Sequence, residues 1–196
     1  MIRYLVQAVP WRLTIAATGI IVGLMTLVAR WPAIMWPLQG TALGVIAGVT
    51  AWASDEPAAQ VVDTLPRPLW WRITARAAVV PLVLGAWIAC LLAARSRLPD
   101  HFWFFVLQAA GMVGLALAVT TWRRGRGVAE PGRPFAAIVV PTATAVALIR
   151  PFTRQLPVFP VWPSEDWHTS RTVWAAVTTG SFVILAAALI RSLRKA

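Results

Sequence analysis

Six long apolar stretches, parted by short basic or proline-containing breaks, constrain this chain more than any other feature. They cover about 13–29, 33–53, 77–94, 102–122, 135–149 and 172–190. Roughly 20 apolar residues in a row cross a bilayer as a helix, because a helix satisfies its own backbone where no water is present. The expected fold is therefore all-α: a polytopic membrane protein with six transmembrane helices in a single domain. Composition agrees. Hydrophobic residues make up 59% and charged residues 13% of the chain, against about 45–50% and about 25% in soluble domains. The fifth stretch is the weakest, because fifteen residues cover only about 22 Å at 1.5 Å per residue and Pro141 interrupts them.

The basic excess has a topological meaning. The net charge is +11. A nucleic-acid-binding chain gathers such charge on one soluble face, whereas here it sits in the breaks. With both termini cytoplasmic, the inner segments hold twelve basic residues and the outer segments six. The positive-inside rule then favours that orientation in a bacterial plasma membrane, and nucleic acid is not an expected partner. Tryptophans fall near both ends of the stretches, as an aromatic belt does, with Trp87 the mid-span exception. Residues 1–12 read as an interfacial segment rather than a cleavable signal. The single Cys90 forms no intrachain disulfide, and no GxxxxGK[ST] phosphate loop is present, so no catalytic residue is assigned.

Two kinds of residue inside the stretches carry information. Gly40, Gly44 and Gly48, with Gly19 and Gly23, stand four apart and make flat helix faces for close packing. That packing is either between subunits or within one chain. No Asp, Glu, Lys or Arg lies near the middle of a stretch, which disfavours a proton-coupled carrier. The milder polar groups Gln39, Gln108, Thr142, Thr144 and Thr178, with Trp87 and Met112, are candidates for a largely apolar substrate path. The plainer reading is that Thr bonds its own helix and Gln bridges helices.

The long break 54–76 is the most structured. Ser54 reads as an N-cap, with Asp55 and Glu56 in the first turn, where the helix dipole favours acids. Ala58, Val61, Val62 and Leu65 form an apolar stripe, with Asp63 off it, and Pro66 and Pro68 end the helix. Arg72 then sits where the chain returns to the membrane. A simple connector needs only a few residues, so this one reads as a docking element on the cytoplasmic side.

With its acidic start, apolar helix, Pro68 and Arg72, the segment DEPAAQVVDTLPRPLWWR resembles the region after the second span in type-2 permeases of ATP-binding-cassette (ABC) exporters. It is most similar to the short permeases of actinobacterial drug or natural-product exporters. In that family the Gly-Thr pair follows the acidic residue; Ala58-Ala59 stand there in this chain. The resemblance implies that Asp55, Glu56, Val61, Val62, Asp63, Leu65, Pro68 and Arg72 couple the chain to a separate ABC ATPase subunit. It implies an exporter of hydrophobic or amphipathic small molecules, paired with a second permease subunit as homodimer or heterodimer. ATP and Mg²⁺ would bind the partner ATPase, and this chain would hold no cofactor of its own. A short fifth span followed by an external re-entrant segment, 150–171, is also implied. Rival readings are the substrate-binding membrane subunit of a vitamin importer, a membrane scaffold or immunity protein, and a small membrane enzyme using Asp100, His101, Glu165, Asp166 and His168. Those acids and histidines lie in two separate loops at the water interface, so no metal is expected.

Overall fold

The computed structural model describes residues 9–55, 74, 76–97, 101–150, 157–160 and 166–193. Among these the regular structure is helical: α1 (Trp11–Arg30), α2 (Pro32–Met35), α3 (Leu38–Ala53), α4 (Val79–Ala93), α5 (Phe102–Arg124), α6 (Gly132–Ile149) and α7 (Trp167–Leu193), with a 3₁₀ turn at Arg95–Arg97. Four of them, α1, α5, α6 and α7, are long and apolar enough to cross a membrane. The apolar helices α3 and α4 are shorter, at 16 and 15 residues.

The expected elements survive with three corrections. The second stretch is two helices, not one, because Pro37 has no N–H to continue the ladder from α2; a turn at Trp36 and Pro37 joins the two. The fifth stretch is longer than expected. Helix α6 starts at Gly132 and runs through Pro141 for 18 residues, about 27 Å. The sixth begins at Trp167, so residues 167–171 belong to α7 and not to an external connection. Residues 11 and 12 form the first turn of α1, and residues 1–8 of the expected interfacial segment lie outside the described residues.

Helix α3 is the hub. It packs against α6 most extensively, then against α1 and α5, while α4 rests on α1 and α7 on α5. Twelve of its residues are buried, including Leu43 and Ile46. The α3–α6 seam is made of the glycines. A Cβ at Gly40, Gly44 or Gly48 would lie 2.5 Å from Ala147 Cβ, 2.7 Å from Ala143 Cβ and 2.7 Å from Val140 Cγ2 respectively. The absence of a side chain is what lets these two backbones approach. This stripe is therefore spent on packing within the chain. On α1, by contrast, Gly19 and Gly23 are exposed and nothing lies within 4 Å of a Cβ built there.

Candidate functional site

Helices α3, α5 and α7 begin at the same end of the bundle, and their first turns surround a small pocket. Its lining includes Trp36, Gln39, Phe105, Gln108, Phe159 and Trp167. Residues 157–160 are held over it by donors from three sides. Trp36 Nε1 donates to the Pro160 carbonyl at 3.1 Å. Trp174 Nε1 and Ser170 Oγ, both on α7, donate to the Val158 carbonyl at 2.7 and 3.2 Å. Gln108 Nε2 approaches the same oxygen at 3.4 Å. Buried indole N–H groups need such partners, and here they fix a loop. The rings also pack on each other: Trp36 and Phe105 centroids are 5.3 Å apart, Phe104 and Trp167 5.3 Å, and Phe159 and Trp174 5.6 Å.

The chemistry of the pocket comes from Gln39. It is 3% exposed, yet neither Nε2 nor Oε1 has a hydrogen-bond partner. An unpaired buried polar group costs roughly 1–3 kcal/mol, so this amide asks for a ligand atom or water. The free space, about 10 Å³ for the centre of a water-sized sphere, holds about one water. In this arrangement the pocket is narrow, with an amide donor and acceptor among aromatic side chains.

The structure sorts the proposed path residues. Gln39 and Gln108 line one pocket, and Met112 is buried one turn deeper on α5. Trp87 is elsewhere, fully buried on α4, its Nε1 without a partner. Thr142 is exposed on α6. Thr144 and Thr178 bond their own helices, donating to Val140 O at 2.9 Å and Trp174 O at 2.7 Å. The sequence reading passed over Trp36, Phe105, Phe159, Trp167 and Trp174. In sequence the tryptophans look like belt residues, although Trp-Pro at 36–37 and Phe-Pro at 159–160 are signals of fixed turns.

At the opposite end of α3 stands Asp55. Ser54 closes α3, its Oγ donating to Thr50 O at 2.8 Å, while the helix it was expected to cap lies outside the described residues. The Asp55 carboxylate reaches instead to α6, accepting from the backbone N–H of Gly132 at 2.6 Å and of Arg133 at 2.8 Å. It thus serves as a cap for a helix 77 residues away in sequence. Burial pushes its pKa above the ordinary aspartate value; the two N–H bonds oppose that, nearby Glu130 adds to it, and Arg133 opposes it. The Asp55 carbonyl accepts from Arg76 Nη1. Around this end Arg133 pairs with Glu130 at 3.1 Å, and Arg126 and Arg191 lie over the Trp122 ring at 4.9 and 4.7 Å. Glu56, Val61, Val62, Asp63, Leu65, Pro68 and Arg72 lie outside the described residues, as do Asp100 and Glu165. Among the described residues no group of three or more His, Cys, Asp or Glu converges.

No family model matches the chain, and neither a curated protein nor a solved structure does. Function must be argued from these two ends.

Proposed function

We propose that this chain is the membrane-spanning subunit of an ATP-driven exporter of hydrophobic or amphipathic small molecules, with ATP hydrolysed on a separate ABC ATPase subunit. The observation that carries the reading is the closure of the break between α3 and α4. The chain departs at Asp55 and is back at Arg76, where the guanidinium bonds the Asp55 carbonyl. The Asp55 carboxylate meanwhile grips the first turn of α6. Asp55 and Arg76, the described residues on either side of the break, are thus hydrogen-bonded to each other, and Asp55 is fastened to α6 as well. Twenty residues of sequence between two such neighbours are more than a connector needs. The segment's acidic start and apolar stripe suit docking, and force applied to it reaches α3 and α6 directly.

In this reading all six apolar units cross the plasma membrane, with both termini cytoplasmic and a second permease subunit completing the path. The twelve-to-six distribution of basic residues supports that orientation. Without an ionisable group in mid-span, the energy for transport comes from the partner. The test is reconstitution with an ABC ATPase subunit that copurifies with the chain from its native membrane. Glu56→Lys and Asp63→Lys should uncouple ATP hydrolysis from transport while leaving the chain folded. Coupled, substrate-stimulated hydrolysis that is unchanged in both variants would refute the docking role.

A further inference from the structure

A second cavity, unrelated to the Gln39 pocket's interior, opens on the outside of the same end. It is a cleft of about 500 Å³ where the 3₁₀ turn after α4 meets the first turns of α5 and α7. Arg95 enters from the 3₁₀ turn, His101 and Phe102 from the start of α5, and Arg171 from α7; Leu92 and Trp103 form an apolar flank. Both arginines are exposed, and among the described residues neither forms an ion pair. Among the described residues no acidic side chain lines the cleft. His101 does not cap α5 with its side chain, so the positive end of that helix also faces this region. Trp103 is 80% exposed and Leu92 50% exposed. Tryptophan at a helix end marks the headgroup level of a bilayer.

We propose that this cleft binds one anionic phospholipid, its phosphodiester between Arg95 and Arg171 and an acyl chain along Leu92 and Trp103. Guanidinium groups match phosphate oxygens with two parallel donors each, and the cleft supplies two of them from different helical elements. A purely electrostatic patch for soluble anions would need no apolar flank. A purely lipid-facing surface would not gather two exposed arginines on neighbouring helical elements. Bound there, the lipid ties the end of α4 to α7, which packs chiefly on α5. The inference does not depend on the exporter reading; it requires only that the chain resides in a membrane.

The experiment uses the full chain purified from membranes, with any partner that accompanies it. Native mass spectrometry would count retained phosphatidylglycerol against phosphatidylcholine after exchange into mixed micelles of both. The wild type should prefer phosphatidylglycerol. Arg95→Gln and Arg171→Gln should each cut that preference about fivefold, the change expected for one basic residue at a charged lipid surface. The double Gln variant should abolish it. Arg97→Gln, on the same 3₁₀ turn but outside the cleft, should leave it intact. A double Arg→Lys variant keeps the charge and should retain part of the preference, which separates charge from misfolding. Millimolar inorganic phosphate should not displace the lipid. A double Gln variant that still prefers phosphatidylglycerol, or displacement by free phosphate, would overturn the proposal.

Discussion

Replacing Asp55 tests how α3 and α6 are fastened at the break. The carboxylate accepts two N–H groups at the start of α6, at 2.6 and 2.8 Å. Losing an N-cap alone costs about 0.5–2 kcal/mol. Bonds to a charged acceptor contribute about 1.5–3 kcal/mol each, but the carboxylate is buried, and its desolvation offsets much of that gain. The net loss for Asp55→Ala should be about 2 kcal/mol, roughly a 30-fold rise in local opening, since about 1.4 kcal/mol is tenfold. Asp55→Asn keeps one acceptor and should lose about half. Amide hydrogen exchange at Arg133 and the next turn, measured in lipid nanodiscs, reads this opening directly. Gly132→Ala should produce a comparable loss by another route. Its Cβ would collide with the Ala51 carbonyl and lie 2.9 Å from Asp55 Oδ1. Because both changes break one contact, the double variant should fall short of the sum. Unchanged protection of the α6 start in Asp55→Ala, or full additivity, would refute the capping argument.

Three further outcomes follow. Burial raises the Asp55 pKa, so between the ordinary aspartate value and the raised one the folded state holds more protons than the unfolded. Stability should therefore fall as pH rises through that acidic window, and Asp55→Asn should remove this slope from pH-dependent unfolding curves. At the seam, Gly44→Ala should cost about 1–3 kcal/mol by overpacking against Ala143. Ala143→Gly in the same chain should recover most of it in thermal unfolding. Equivalent Ala changes at the exposed Gly19 and Gly23 should cost nothing. Gln39→Met should leave stability unchanged or raise it by about 1–2 kcal/mol, because an unpaired buried amide is replaced by an apolar chain. A clear loss of stability would mean that a bound water satisfies the amide.

What was legible in the sequence divides along the range of the interactions involved. Hydropathy is local and strong, so all the apolar helices were foreseen. Their ends were not. Gly132-Arg133-Pro134 reads locally as loop punctuation, yet it is the first turn of α6 because Asp55, far away in sequence, supplies the acceptor. Trp167 to Arg171 reads as part of an external re-entrant segment, yet it is the start of α7, with Ser170 anchored on Val158. The Gly40, Gly44 and Gly48 stripe announced a close contact but not its partner. The complementary small residues Ala136, Ala143 and Ala147 on α6 were equally visible, at spacings of seven and four, and mark the same face. The pocket was half legible. Its two glutamines stood out as polar groups in apolar runs. Its aromatic wall did not, since a tryptophan at a helix end looks the same whether it faces lipid or a cavity.

These features combine into a mechanical argument. Helix α3 carries Gln39 near one end and passes into Asp55 at the other, about 24 Å apart along its axis. Between them the glycine seam leaves no slack against α6, and Asp55 locks the same two helices at the break. So α3 and α6 move as one body. The pocket lies between that body and another. Trp36, Gln39 and Gly40 form one wall, while Phe105, Gln108 and Trp167 belong to α5 and α7, which pack on each other. On the exporter reading, a displacement delivered to residues 56–75 is carried along α3 as a rigid rod. The boundary it meets is the one that lines the pocket, where residues 157–160 are held by side-chain hydrogen bonds from Trp36, Gln108 and Trp174. Parting that boundary would expose the unpaired Gln39 amide to a substrate. The amide's burial in the closed state then raises the energy of closure and favours opening when the partner drives it.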